Sequence, residues 1–275
     1  MSGIEAPSIL SSDVRVAHPQ GRIFARVWTP PGDAGRPVPA NPIVLLHDSL
    51  GCVELWRDFP AELSAATGRR VIAYDRLGFG RSDPRGGTLA PRGFIAEETK
   101  TFFPAIREQL GFQGFIAFGH SVGGGMAVHC AAEFAADCEA LITESAQCFP
   151  EDRTLQAIAV AKEQFKDDSQ VARLGRYHGE KARWVLDAWT DSWLHPDFAS
   201  WSLADVLPRV TCPVLAIHGI HDEYGTTRHP EMIGRLSGGP SRVEIIADTY
   251  HVPHRERPEV VLALASGFIA SLRAG

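Results

Sequence analysis

Short, uninterrupted apolar runs recur along the chain, separated by segments with helical spacing. Residues 43–47, 71–74, 115–118 and 140–143 are four such runs, 214–218 is a fifth, and 243–246, which contains Glu244, reads as a further strand. A run this short and this apolar is the pattern of a strand buried on both faces. Between the runs, residues 56–67 place Phe59, Leu63 and Ala66 on one side of a helix, and 93–110, 122–136, 229–236 and 258–272 also read as helices. Pro258 suits the first turn of the last one, whereas Pro104 predicts a kink or break inside 93–110. Near the start, 14–17 and 22–28 read as two strands joined by a turn at 19–21. Residues 29–42, rich in proline and glycine, read as a loop.

The rhythm changes at residues 145–207, which contain no buried-strand pattern and carry Trp184, Trp189, Trp193 and Trp201. A helix is expected over 180–194, after a break at residues 176–179, with Leu186, Trp189 and Trp193 on one face. Strands alternating with helices predict an α/β fold, with a mostly parallel central sheet and helices on both faces. The expected organisation is a core of residues 1–144 and 208–275, interrupted by a helical cap at 145–207.

Composition narrows the function classes. With 27 basic and 33 acidic side chains the formal charge is −6, which gives no electrostatic reason to bind nucleic acid or an anionic membrane. The 44% hydrophobic and 22% charged residues are those of an ordinary globular protein. Five cysteines, an odd number without a CxxC pair, argue against a disulfide framework and for a reducing, cytoplasmic location. No basic stretch followed by an apolar one opens the chain, so no secretory signal is expected. Residues 109–132 lack any Asp, Glu, Lys or Arg, but six glycines and two histidines there favour a strand, a turn and a buried helix over a membrane span.

Gly119-His120-Ser121-Val122-Gly123 matches G-x-S-x-G, with a buried strand running in and an apolar helix running out. Such a turn exposes a serine hydroxyl at the sheet's edge; the bland alternative is a glycine-rich turn with an incidental serine. A serine needs a base and a group that orients the base. Asp222 follows the strand at 214–218 and His251 follows the one at 243–246, giving the chain order Ser, acid, His. Glu223 and Glu144 are rival acids, and His254 is a rival base.

These motifs together resemble the α/β-hydrolase superfamily over nearly the whole chain. His47-Asp48-Ser49-Leu50-Gly51 with Trp56 resembles its oxyanion loop, residues 75–82 its D-x-x-G-x-G-x-S segment, and His251 with Glu256 and Pro258 its histidine loop. The resemblance implies Ser121 as nucleophile, His251 as general base and Asp222 as orienting acid. Val122 and Ser49 are then the oxyanion donors. Relatives usually carry glycine where this chain has Asp48. A carboxylate there would oppose the developing negative charge, so Asp48 is expected to face away or to be paired.

Candidates for the substrate pocket are His120, Trp184, Trp189, His178 and Arg183. His178, Lys181 and Arg183 are placed to meet a substrate carboxylate, unless they form a solvated face. The spacings His218-x-x-His221 and His251-x-x-His254 invite a metal reading, but both lie in loops already explained by the triad, so no metal is expected. No phosphate-binding glycine motif is present, and no cofactor is expected.

The resulting expectation is a serine hydrolase of a carboxylic ester or related acyl bond in a small-molecule substrate, with a homodimer left open. Rivals are a carbon–carbon bond hydrolase of ring-fission diketones, a lactonase or perhydrolase, and a non-catalytic binding module. Relatives that open epoxides or cleave haloalkanes carry Asp at the position of Ser121.

Overall fold

The computed structural model describes residues 9–31, 40–90 and 92–272. The N-terminal residues read for a signal and most of the loop expected at 29–42 therefore lie outside the described residues. The chain opens with an antiparallel pair, β1 (Leu10–Val16) and β2 (Ile23–Thr29). The apolar runs then deliver β3 (Ile43–Leu46), a 3₁₀ turn at Val53–Trp56, α1 (Phe59–Thr67) and β4 (Val71–Tyr74).

Pro104 acts on the turn before it. Helix α2 (Phe94–Glu97) passes into a π-helical turn, Glu98–Phe102, and then into α3 (Phe103–Gln109). Proline has no N–H for the carbonyl four residues back, and the neighbouring Phe103 N–H bonds the carbonyl of Glu98, five residues back. The expected break is thus a change of helical pitch.

Strand β5 (Phe115–His120) leads into α4 (Val122–Glu133), followed by β6 (Cys138–Glu144). The charge-free stretch at 109–132 is therefore a strand, a turn and a helix, and no helix among the described residues is long and apolar enough to cross a membrane. Helices α5 (Asp152–Gln164), α6 (Asp168–His178) and α7 (Ala182–Trp193) follow, and Gly179, at φ 59°, ends α6. Then come β7 (Val214–Gly219), α8 (Arg228–Leu236), β8 (Ser241–Ile246), a short α9 (Pro253–Glu256) and α10 (Pro258–Ser271).

The eight strands form one sheet in the order β1-β2-β4-β3-β5-β6-β7-β8. Only the pairs involving β1 and β2 are antiparallel; β3 onward runs parallel. Side-chain alternation splits the core in two. Val44, Leu46, Ala117 and Leu141 join one cluster with the helices around α4, while Ile43, Leu45, Ile116 and Ile142 join the other with α1 and α10. Both faces being covered is what makes these strands wholly apolar. The parallel strands point their carboxyl ends one way, so the residues just past β5, β7 and β8 converge on one crevice.

The five cysteines are all buried free thiols.

Candidate active site

Ser121 occupies the turn between β5 and α4 at φ 56°, ψ −124°. A non-glycine residue held there stores roughly 1–3 kcal/mol of strain. The turn is fastened on both sides: the Ser121 N–H donates to the Glu144 carbonyl, and its own carbonyl accepts from Gly124 N–H, each at 2.8 Å. The two motif glycines are sterically required. A Cβ on Gly119 would fall 2.1 Å from the Gly123 carbonyl oxygen, and one on Gly123 would fall 2.1 Å from that of Leu46. The helix leaves the strand so tightly that no side chain fits between them.

The Ser121 Oγ lies 3.1 Å from His251 Nε2. On the other side of the ring, His251 Nδ1 lies 2.9 Å from both carboxylate oxygens of Asp222. Asp222 is fully buried, and its Oδ1 also accepts the Tyr224 N–H at 2.8 Å. Burial works against charge on both groups, but each one's charge and their shared hydrogen bonds outweigh it. The Asp222 carboxyl is therefore held below its ordinary value, and the His251 imidazole is raised above its own.

The rival groups pair with each other. Glu144 Oε2 lies 2.8 Å from His254 Nδ1, and Oε1 accepts the His254 N–H. Burial of Glu144 favours protonation, yet His254 outweighs it and keeps the carboxyl below its ordinary value. Trp56 covers this pair, its ring 4.6 Å from that of His254. Glu223 acts on His251 through its charge, to a lesser extent than the charge and hydrogen bonds of Asp222.

The backbone around His251 is held at several points. The Glu256 carboxylate accepts the N–H groups of Tyr250 (2.6 Å) and Val252 (2.9 Å), the two residues flanking His251. The His251 carbonyl accepts His120 Nε2–H at 2.8 Å. These contacts explain physically why His251, Glu256 and Pro258 form one motif. Glu256 ties the loop, and Pro258 starts the helix that carries it away.

Residues 75–82 brace the opposite wall. The Asp75 carboxylate accepts the N–H groups of Val53 and Arg81, each at 2.6 Å. Burial raises its carboxyl to about 6. His47 bonds backbone on both ring nitrogens, to the Asp48 carbonyl at 2.8 Å and from the Arg76 N–H at 3.1 Å. The loop 48–51 is thereby fixed beside the serine. Val122 is the first residue of α4, and a first-turn N–H has no partner within its own helix.

A chamber of about 440 Å³, its mouth included, opens over Ser121 and His251. Its walls include Asp48, Ser49, Gln147, Trp189, Trp193 and Tyr224. Of the five expected pocket residues, only Trp189 lines it. His120 sits behind it, committed to the His251 carbonyl. His178 accepts the Gly80 N–H at 2.8 Å and meets the Leu50 carbonyl at 3.0 Å, so it ties α6 to two loops. Trp184 donates to the Gly87 carbonyl and borders a separate outer recess. Arg183 is exposed and reaches the Phe165 carbonyl. Lys181 likewise binds backbone carbonyls of Phe79, Gly80 and Ser82. Each polar member is thus bonded to backbone groups away from the chamber.

Asp48, expected to face away or to be paired, has its Oδ2 3.7 Å from His120 Nδ1, an ion pair when that ring is protonated. It lines the chamber, and neither of its carboxylate oxygens has a hydrogen-bond partner among the described residues. Gln147, whose Oε1 lies 3.4 Å from the Ser121 hydroxyl, escaped the sequence reading, as did Tyr224. Their only signal was position, just past the carboxyl ends of β6 and β7.

The two pairs of histidines with metal-like spacing are separately engaged. His218 meets the Gly225 carbonyl at 3.3 Å, His221 faces Asp248 at the surface, and His251 and His254 serve the two carboxylates above.

The sequence profile of the alpha/beta hydrolase fold family matches residues 41–186. Over 87 residues the chain is 37% identical to the (Lyso)-N-acylphosphatidylethanolamine lipase of Homo sapiens, a stretch covering 32% of this chain and 25% of that one. The match thus spans only a quarter of the length of that relative. Among solved structures, proline iminopeptidase of Mycobacterium smegmatis is similar with a TM-score of 0.69 and 23% identity, over 95% of this chain and 98% of that one. A serine hydrolase of the polyaromatic-hydrocarbon-degrading bacterium Cycloclasticus zankles is similar with a TM-score of 0.77 and 13% identity, over 96% and 99% of the two chains. At these identities the two structures share a fold with this chain.

Proposed function

The chain belongs to the alpha/beta hydrolase fold family, and from that premise we propose that it is a serine hydrolase that cleaves a carboxylic ester or related acyl bond of a small-molecule substrate. The observation that carries the reading is the linear relay from Ser121 Oγ to His251 Nε2 (3.1 Å) and from His251 Nδ1 to Asp222 (2.9 Å), at the foot of the chamber. The similarity to a lipase over 87 residues and the chamber's largely apolar wall area support the same reading.

In this reading the Ser121 oxygen attacks the ester carbonyl as its proton passes to His251 Nε2. Asp222 holds the imidazole with Nδ1–H toward itself and stabilises the imidazolium. The negative oxygen of the tetrahedral intermediate receives hydrogen bonds from the Val122 N–H and from Ser49, through its N–H or its hydroxyl. Collapse breaks the ester C–O bond, and the leaving alcohol takes the proton from His251. Water then attacks the acyl-serine, giving its proton to His251, which returns it to Ser121 as the carboxylic acid departs. Residues 145–207 act as a cap, with Trp189 and Trp193 of α7 roofing the chamber.

Hydrolysis of a p-nitrophenyl ester series by the native chain and by Ser121→Ala tests this. Turnover in the native chain, with a loss of several thousandfold in the variant, is expected. Undiminished turnover by Ser121→Ala overturns it. A ring-fission dienoate assayed in parallel reads the carbon–carbon alternative.

A further inference from the structure

The Asp48 carboxylate is an anomaly in a site built to stabilise a developing negative charge. It follows β3 in the loop that provides Ser49, and it lines the chamber together with Ser121 and His251. Its Oδ1 is buried against Gly51 without a hydrogen-bond partner. Its Oδ2 is 3.7 Å from His120 Nδ1, beyond hydrogen-bond range. His120 has no hydrogen to offer there in any case. Its Nε2–H already donates to the His251 carbonyl, and burial depresses its pKa to about 4, so Nδ1 presents a lone pair.

Among the described residues no lysine or arginine forms an ion pair with the group, and Arg76 feels its charge without touching the carboxylate. The nearest candidate, Arg76, donates through Nη2 to the Asp48 backbone carbonyl at 2.7 Å and stacks on Phe79. Among the described residues no Lys or Arg nitrogen lies within 4.0 Å of the Asp48 carboxylate. Among the described residues no Lys or Arg lines the chamber. Besides Asp48, Ser121 and His251 it is lined by Ser49, Leu50, Gln147, Thr154 and Ile158 and by the rings of Trp189, Trp193 and Tyr224. An unpaired carboxylate among indole and phenol rings is a setting for a cation. The carboxylate supplies the charge, and the ring faces attract it at short range. The same carboxylate would repel a substrate anion and, left uncompensated, would raise the energy of the oxyanion.

We propose that Asp48 makes the chamber selective for esters that bear an ammonium group, whose charge offsets the carboxylate beside the oxyanion loop. The proposal rests on the reading of Ser121 as nucleophile. The substrate then supplies the positive charge that the protein omits at this position, so binding of the ammonium and stabilisation of the oxyanion reinforce one another.

The test compares butyrylthiocholine with 3,3-dimethylbutyl thiobutyrate, its neutral isostere with carbon in place of nitrogen, on the native chain and on Asp48→Asn. A kcat/KM ratio of at least about tenfold in favour of the cation is expected in the native chain, falling to near one in the variant. A native ratio of one or less, or a preference that survives Asp48→Asn, overturns the proposal. So does failure on both thioesters by a chain that hydrolyses p-nitrophenyl esters. Absence of any Ser121-dependent turnover, p-nitrophenyl esters included, instead overturns the underlying hydrolase reading. Should Asp48→Asn fail to fold, the native chain decides alone. Competitive inhibition by tetramethylammonium and not by neopentyl alcohol supports the proposal; inhibition by both equally, or by neither, overturns it.

Discussion

The Nε2–H of His120, the residue just before Ser121, donates to the carbonyl oxygen of His251 at 2.8 Å. One strand end thereby holds the main chain of the residue that faces the serine. Both partners are buried, so the bond has no water to replace it. The His120→Phe variant fills the space and removes the donor, leaving the His251 carbonyl unsatisfied. We expect a loss of about 1–3 kcal/mol in stability and a fall in kcat with KM nearly unchanged, because the ring of His251 loses its set position and the chamber wall does not. His120→Gln, which keeps a donor, restores part of kcat. Steady-state kinetics and urea unfolding of the two variants check this; a change in KM alone would speak against a positioning role.

Glu144 and His254 form a buried pair behind the site. Removing one partner of such a pair leaves the other uncompensated, at a cost of about 3–5 kcal/mol. Glu144→Ala should therefore be among the most destabilising single substitutions in the chain, as read by the urea midpoint. A shift equivalent to less than about 1 kcal/mol, in the range of an exposed pair, would mean the pair contributes little.

How much of this was legible beforehand follows from what each residue binds. Ser121, Asp222 and His251 stand in motifs whose spacing is set by backbone geometry. The strand-to-helix turn demands small residues at Gly119 and Gly123, and the Glu256 carboxylate must reach the N–H groups on either side of His251. The mostly parallel sheet covered on both faces was equally readable from the apolar runs, whereas the strand order β1-β2-β4-β3-β5-β6-β7-β8 was not. His178 and Arg183 were candidates for substrate contact, with a solvated face as the alternative, because charged and polar side chains on helices look alike in sequence whether they face a ligand or a carbonyl. Only the fold shows that His178 is consumed by Gly80 and Leu50. Gln147 and Tyr224 carry no signal beyond their position after two strands, since chamber walls are assembled from loops distant in sequence. The π-helical turn before Pro104 was visible as a break, though its pitch was not.

The pH dependence follows from the His251–Asp222 pair. Burial disfavours the imidazolium, but the charge of Asp222 and its hydrogen bonds prevail, so the His251 pKa lies above the ordinary 6.5. The base must be neutral to accept the serine proton. Accordingly, kcat/KM is low in acid and rises with pH through that raised value, placing the acid limb above 6.5. Stability has the opposite sign. The protonated imidazole is favoured in the folded chain, so its contribution is complete below 6.5 and is lost as pH rises through the folded value. Asp222, held below 3.8, contributes stability above that value that is lost as pH falls through its folded pKa. The Asp222→Asn variant should move the acid limb down. A limb at or below 6.5 in the native chain would contradict the assignment of that ion pair.

The central claim, that Ser121 is an activated nucleophile, is tested most directly by reacting the native chain with a fluorophosphonate probe and mapping the adduct by peptide mass spectrometry. A single stoichiometric adduct on Ser121, abolished in His251→Ala while the fold is retained, is the predicted result. A native chain that stays unlabelled, or carries its adduct on another residue, would contradict it.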